Sequence, residues 1–89
     1  MQSHTKIYYQ YFDYGEQDFV PCEVCGNQSV DIHHINGRGK DKDVIKNLIA
    51  LCRKCHERAH GIGKFPLSKS EVQYIHNCFL AGNRKKFIK

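Results

Sequence analysis

Apolar and polar positions predict three elements in the first half of the chain. Aromatic and aliphatic residues are concentrated at positions 7–14, where the pattern fits a helix packed on two sides or a short strand; we predict a short helix. Its aromatic rings are expected to form core, with a base-stacking surface as the alternative. Residues 30–35 are rich in β-forming side chains and run into an Asn-Gly pair, which predicts a strand and a turn. Residues 47–51 predict a second extended segment, reached through the polar, basic loop 36–46.

The second half of the chain predicts two helices. Residues 53–60 follow a Cys-x-x-Cys pair and end at Gly61, which is typical of a helix terminus. Ser68 and Glu71 form a capping box that predicts a helix over about residues 69–81. The apolar face of this helix consists of Val72, Ile75, Phe79 and Leu80. These elements predict a small α+β fold with helices flanking a hairpin.

Length and the N-terminal sequence restrict the class of protein. A chain of 89 residues is expected to form one domain, here residues 1–89, and its core alone would be marginally stable. No apolar run approaches the roughly 20 residues that span a bilayer, and the first residues lack the pattern of a secretory signal. We therefore expect a cytoplasmic protein, in a bacterium or a phage-infected host. In that reducing compartment the five cysteines are expected to bind metal rather than form disulfides.

Charge is unevenly distributed along the chain. Residues 1–31 carry one lysine and five acids, a balance of −4, whereas the balance is +5 over residues 38–64 and +4 over residues 65–89. The last of these regions includes a basic tail at 83–89. A concentrated positive field of this kind favours a polyanionic partner, above all nucleic acid, with a merely solvated basic face as the alternative.

Two Cys-x-x-Cys pairs predict a structural zinc site. The ligands would be Cys22, Cys25, Cys52 and Cys55, because four thiolates at this spacing suit a tetrahedral zinc ion. Gly26 can take the positive φ that turns both sulfurs of the first knuckle toward one ion. The 26 residues between the pairs exceed the usual zinc-ribbon spacing, so a strand, a loop and a second strand are inserted there. Cys78 has no neighbouring ligand and is expected to be a buried thiol.

A histidine set threaded through the cysteines predicts a second metal site. His56 and His60 lie four residues apart on the predicted helix and so share one face, about 40° apart. Together with His33 they would hold an ion with open positions, leaving His34 as a base beside it. Neighbouring strand residues point to opposite faces, so this assignment requires a twist or bulge at the histidine pair. Imidazoles favour Zn²⁺ or Ni²⁺ as occupants, whereas Mg²⁺ or Mn²⁺ is expected to support turnover.

These residues resemble the HNH endonuclease family of the ββα-metal, treble-clef type over residues 22–61. The matching motifs are Cys22-x-x-Cys25, Asp31-Ile32-His33-His34-Ile35, Asn47-Leu48, Leu51-Cys52-Arg53-Lys54-Cys55-His56 and His60. The resemblance implies that His34 is the general base and that Asn47 braces the loop of the hairpin. It implies that His56 is the last motif histidine and a metal ligand. His33 and His60 match ligand positions of the colicin nucleases.

Phosphodiester hydrolysis by this family agrees with the residues present. A histidine can deprotonate water near neutral pH, and a cation can stabilise charge on the phosphate and the leaving oxygen. Asp31 could orient one of the histidines, but a solvated strand aspartate is the favoured interpretation. The candidates for phosphate contacts in DNA are Arg38, Lys40, Lys42, Lys46, Arg53 and Arg58. Sequence specificity, and nicking versus double-strand cleavage, stay open.

Two other functions are compatible with parts of the sequence. A non-catalytic zinc-finger-like module that binds nucleic acid would explain the cysteines and the charge, but not four histidines at ligand spacing. The segment from Cys52 to His56 also matches the c-type haem attachment pattern, yet haem would leave the first cysteine pair unused. We therefore expect no haem. A monomer is expected, with a dimer as the alternative, and the small size resembles that of phage or mobile-element nucleases.

Overall fold

Two strands and three helices make up the part of the chain that is described. The computed structural model describes residues 2–37, 39 and 41–82. The elements in chain order are α1 (Ser3–Tyr11), β1 (Asp31–His34), a 3₁₀ turn (Ile45–Asn47), β2 (Leu48–Leu51), α2 (Arg53–Ala59) and α3 (Lys69–Leu80). The strands form one antiparallel sheet. The predicted small α+β architecture is therefore confirmed for these residues.

The N-terminal helix lies earlier in the chain than its aromatic pattern predicted. Helix α1 ends at Tyr11, and Asp13 then adopts a positive φ of 59°, so residues 12–14 are not helical. The aromatic run still serves the core, since Tyr8 is fully buried and Phe12 packs its ring 5.4 Å from that of Phe79. The expectation of a core role is met here, while the predicted boundaries were wrong because no capping residue marks either end.

Strand β2 lies between two core clusters and is buried on both faces. All four of its side chains are 0% exposed, and each buried Leu or Ile contributes roughly 1.5–3 kcal/mol. Because strand residues alternate, Leu48 and Ala50 face the cluster that contains Tyr8 of α1. Ile49 and Leu51 face the cluster that contains the knuckle cysteines and α3. The strand thus separates an α1 side of the hairpin from an α2 and α3 side.

The first knuckle is a tight turn attached to β2. Gly26 has a φ of 83°, as predicted, and its N–H donates to the Cys22 carbonyl over 2.9 Å. The Glu23 N–H donates to the Ala50 carbonyl over 3.0 Å, and the Val30 N–H donates to Leu51 over 2.9 Å. These hydrogen bonds set the cysteines of the knuckle beside the end of β2, where the second pair begins.

The two later helices begin and end close to the predicted residues. Helix α2 starts directly after Cys52 and is followed by Gly61 at a φ of 81°. In α3 the capping box is present, because Ser68 Oγ accepts from the Glu71 N–H and the Glu71 carboxylate accepts from the Ser68 N–H, both over 3.1 Å. Among the described residues no helix combines the length and the apolar character needed to cross a membrane.

A buried polar network joins the first knuckle to α1 and α3. Glu23 and His76 have fully buried side chains, and Glu23 Oε1 lies 2.8 Å from His76 Nδ1. The Tyr8 hydroxyl donates to Glu23 Oε2 over 2.6 Å, and His76 Nε2 donates to the Ile45 carbonyl over 2.5 Å. Burial raises the pKa of Glu23. Burial also raises the pKa of Tyr8, and the nearby Glu23 carboxylate raises it further. One carboxylate therefore connects three segments that are distant in sequence.

Candidate active site

The four predicted zinc ligands come together at the junction of the knuckle and α2. One sulfur from each of Cys22, Cys25, Cys52 and Cys55 lies within 4.8 Å of all the others. The Cys25 and Cys52 sulfurs are 3.6 Å apart. Sulfurs placed about 2.3 Å from a tetrahedral zinc would be about 3.8 Å apart, so the cluster has the size that a zinc ion requires. Cys78 lies on α3 outside this cluster and is half-buried.

Crowding of the thiols shapes their ionisation. A hydrogen bond from Cys55 lowers the pKa of Cys22 to about 4. The same bond raises the pKa of Cys55, and burial raises that of Cys25. Four thiolates in a space this small repel one another, and a divalent cation removes that repulsion. The chemistry of the donors thus agrees with their geometry in favouring zinc.

Three histidines form a second group with metal-ligand geometry. His33 of β1 lies near His56 of α2 and His60, which directly follows α2, with one ring nitrogen of each within 4.8 Å of the other two. The Nε2 atoms of His56 and His60 are 3.1 Å apart. Imidazole nitrogens about 2.0–2.1 Å from one zinc lie roughly 3–3.4 Å apart, so this spacing also fits a shared ion. His60 is exposed and the other two are half-buried, so the group opens toward solvent.

His33 is poised to stay neutral at physiological pH. Burial, followed by the neighbouring imidazoles of His56 and His60, lowers its pKa to about 4. A neutral imidazole keeps the lone pair that a metal ion requires, whereas an imidazolium would repel the ion. The same crowding that disfavours protonation therefore favours metal binding at this position.

Asp31 contacts His56 at Nδ1, the ring nitrogen that does not face His60. Its Oδ2 lies 3.0 Å from His56 Nδ1, so the Nδ1–H donates to the carboxylate and the Nε2 lone pair faces the cluster. The favoured sequence interpretation, a solvated aspartate, is incomplete: Asp31 is exposed, but the strand also places its side chain on the same face as His33, within reach of His56. The orienting role that the sequence left as the alternative is the one with a contact.

The two strand histidines lie on opposite sides of the hairpin. The register pairs His33 with Ile49 and His34 with Leu48 without a bulge, so the predicted requirement for a bulge is not met. His34 is 8% exposed and shares its face of β1 with Ile32 on the α1 side. Both histidines nevertheless line one cavity of about 590 Å³, together with His56 and His60. All four histidines therefore line the same cavity, although the regular register places His33 and His34 on opposite faces of the strand.

His34 has two further neighbours that the sequence did not reveal. Its Nε2 lies 2.8 Å from Asp43 Oδ1, and its ring centroid lies 4.5 Å from that of His4 in α1. The hydrogen bond from His34 lowers the pKa of Asp43. A loop aspartate nine residues away and a helix histidine thirty residues away follow no period or motif, so no sequence signal pointed to either.

Asn47 pins the loop that follows β1. Its Oδ1 accepts the Asn36 N–H over 2.7 Å. Its Nδ2 donates to the carbonyls of Gly37 over 3.2 Å and of Lys42 over 2.9 Å. One buried side chain thus ties the beginning of the loop to its end, which is the geometry expected of a bracing residue.

The predicted phosphate contacts differ in their surroundings. Lys42, Lys46 and Arg53 are exposed. Arg58 is half-buried and donates its Nε to the Phe65 carbonyl over 2.6 Å, so it braces the segment after α2 and is less available to a phosphate. The remaining candidates, Arg38, Lys40 and the basic tail at 83–89, lie outside the described residues.

The family assignment agrees with this arrangement. A family model described as "Putative HNHc nuclease" matches residues 6–86, which is nearly the whole chain. No curated protein and no solved structure shows significant similarity to it. The match includes the hairpin, both ligand clusters, the pinned loop and α3, and it extends well beyond residues 22–61. On this evidence the chain belongs to the HNHc nuclease family.

Proposed function

We propose that the protein is a metal-dependent endonuclease that hydrolyses phosphodiester bonds in DNA. The observation that carries this proposal is the shared cavity, in which three imidazoles with ligand geometry lie beside the carboxylate-bound imidazole of His34. A module that only binds metal and nucleic acid has no use for a fourth, separately anchored histidine at the same cavity. The site therefore suits a reaction better than passive binding.

The arrangement of elements supports a ββα-metal motif within a treble-clef domain. β1 would supply the base and one ligand, β2 follows the bracing asparagine, and α2 would supply two ligands. The cysteine cluster lies where the first knuckle meets the start of α2, so a zinc there would fix the helix relative to the hairpin. In this proposal one ion stabilises the scaffold and a second takes part in the reaction.

The roles of the residues follow from their contacts. His34 would take a proton from the attacking water, since its ring is held at the cavity by a carboxylate. His33, His56 and His60 would hold a divalent cation, which supplies Lewis acidity to the phosphate and the leaving oxygen when it is bound. Asn47 would keep the loop beside the cavity in place through its three hydrogen bonds.

The charge of the chain supports DNA as the substrate. The net charge is +5, and the excess of Lys and Arg begins after β1, next to the cavity. Exposed lysines and arginines can neutralise backbone phosphates without reading sequence. We propose that Lys42, Lys46 and Arg53 make such contacts. Binding that depends on them would weaken steeply as the salt concentration rises.

Cleavage of supercoiled plasmid tests the proposal directly. Purified protein should convert the plasmid to nicked or linear DNA with added Mg²⁺ or Mn²⁺, and EDTA should stop the reaction, even if Zn²⁺ or Ni²⁺ occupies the site after purification. His34→Ala should lose activity by on the order of 10²- to 10⁴-fold while DNA binding and the content of both metals persist, because a base is not a ligand.

The competing function, a zinc-finger-like binding module, predicts the opposite pattern. Such a module would retard DNA in a gel shift, contain one zinc per chain and leave the plasmid intact under all metal conditions. A His34→Ala protein that cleaves at the wild-type rate would contradict the proposed base. Thermal melting of each sample separates these outcomes from damage to the structural zinc site by EDTA.

A further inference from the structure

Asp43 contacts the proposed base in a manner that fixes the position of its proton. The distance from Asp43 Oδ1 to His34 Nε2 is 2.8 Å. The His34 side chain is 5% exposed and lines the cavity, whereas the Asp43 side chain is 38% exposed and reaches the cavity only through its contact with His34. An ionised carboxylate only accepts hydrogen bonds, so Nε2 must carry the hydrogen and the lone pair of a neutral ring must be on Nδ1.

The carboxylate is itself held by two other parts of the chain. Asn47 donates to the carbonyl of Lys42, the residue directly before Asp43. The Ser3 hydroxyl at the start of α1 lies 3.5 Å from Asp43 Oδ2. His4, one residue further along α1, packs its ring against that of His34. The proposed base and its carboxylate thus lie between the loop and the start of α1, with Asp43 partly exposed.

The charge of Asp43 makes a purely solvated role difficult to explain. Its pKa is lowered by the hydrogen bond to His34, so the carboxylate is ionised at neutral pH. A negative charge beside a cavity intended for a phosphate backbone weakens the binding of that backbone. An acid at this position therefore weakens substrate binding, and its short hydrogen bond to His34 is the contact through which it could aid the proposed reaction.

We propose that Asp43 is a positioning residue that holds His34 as the Nε2–H tautomer, so that Nδ1 is the atom that accepts the proton from water. The inference rests on the proposed role of His34 as the base. It adds a loop residue and the N-terminal helix to a site whose other members belong to the hairpin and α2. A carboxylate that orients a histidine base in this way contributes through tautomer and ring orientation rather than by contact with substrate.

The tautomer of His34 can be measured without any activity assay. In ¹⁵N-labelled, zinc-loaded full-length protein, two-bond ¹H–¹⁵N correlation spectra distinguish Nε2–H from Nδ1–H rings, and His34→Ala identifies the signals. We expect the Nε2–H form in the unmodified protein and its partial or complete loss in Asp43→Ala. An Nδ1–H ring in the unmodified protein would overturn the proposal. The spectrum of the unmodified protein does not depend on whether Asp43→Ala folds.

Kinetics of Asp43→Ala supply the second test, with Asp41→Ala as the matched loss of one exposed loop charge. For Asp43→Ala we expect kcat to fall on the order of 10- to 100-fold, with KM for plasmid unchanged or lower. Asp41→Ala should leave kcat unchanged. Equal kcat values for the two variants, or loss of the second metal from Asp43→Ala, would overturn the positioning role. Wild-type cleavage by His34→Ala would instead refute the proposed base, while the spectra would still report on the Asp43 contact.

Discussion

Helix α2 and the residue directly after it contribute side chains to two clusters of possible metal donors, which differ in burial and in number of donors. Cys55, on its first turn, points into a buried group of four sulfurs next to the core. His56 and His60 face the other way and complete a group of three nitrogens that lines a cavity. Adjacent residues of one helix, Cys55 and His56, therefore belong to two different clusters.

The number of donors in each cluster decides whether a bound ion would keep a position open for a substrate. Four protein donors fill the coordination shell of a tetrahedral ion, so the cysteine cluster leaves no position for a substrate. Three donors leave at least one position open, and the exposure of His60 makes that position accessible. We expect substitutions in the two clusters to have different consequences, and the following predictions test this in order of decreasing effect.

Loss of a cysteine ligand should have the largest effect. Cys25→Ser removes one of four donors, and structural zinc binding in small domains contributes about 10–16 kcal/mol, comparable with the whole stability of a small protein. We expect an unfolded or aggregated protein with less zinc, as measured by circular dichroism and metal analysis. Cys78→Ser, outside the cluster, should melt near the wild-type temperature. Unchanged melting and zinc content in Cys25→Ser would remove the structural role of this cluster.

Loss of a histidine ligand should leave the fold intact. His56→Ala removes one of three nitrogens at the edge of the cavity, so the ion proposed there should bind more weakly and cleavage should fall with it. Circular dichroism and the cysteine-bound zinc should be preserved. Lys54→Ala, an exposed position on the same helix, is the matched control. If His56→Ala unfolds the protein as Cys25→Ser does, the division between the two clusters is wrong.

A smaller loss of metal affinity is expected from changing Asp31, which contacts the proposed ligand His56 but is not itself a proposed ligand. Asp31→Asn keeps an acceptor for His56 Nδ1–H but removes its charge, and such changes typically lower metal affinity on the order of 10- to 100-fold. Calorimetric titration with Zn²⁺ or Ni²⁺ measures the change. Asp41→Asn removes the same charge from an exposed loop and should bind as the wild type does. Identical affinities for the two variants would mean that the Asp31 contact does not orient the ligand.

The sequence alone predicted those features whose geometry is determined by residues only a few positions apart. The capping box at Ser68 and Glu71 located the start of α3, and Gly61 and Gly82 adopt the positive φ typical of helix ends. The Cys-x-x-Cys spacing selected four residues that do converge. In each case the geometry is determined within a few residues, so it can be derived without knowing the tertiary fold.

Contacts between distant segments were the ones that the sequence could not supply. The partner of His34 is a loop aspartate, and its ring neighbour comes from α1, whose boundaries were misjudged. The contact of the exposed Asp31 with His56 could not be predicted, because nothing in the sequence shows that α2 lies against this face of the strand. Such contacts depend on how helices and strands pack in the tertiary structure, which cannot be derived from the spacing of residues along the sequence.

The buried carboxylate of Glu23 determines how much of the chain can be removed. Its partners, Tyr8 and His76, both lie outside residues 22–61, the segment with the HNH motifs. A fragment limited to that segment would lose both partners of Glu23 together with the core side chains of α1 and α3, which include Tyr8, Val72 and Ile75. The segment with the HNH motifs therefore depends on α1 and α3 for part of its buried contacts. A new scaffold that covers Glu23 would have to offer it hydrogen-bond partners in place of Tyr8 and His76.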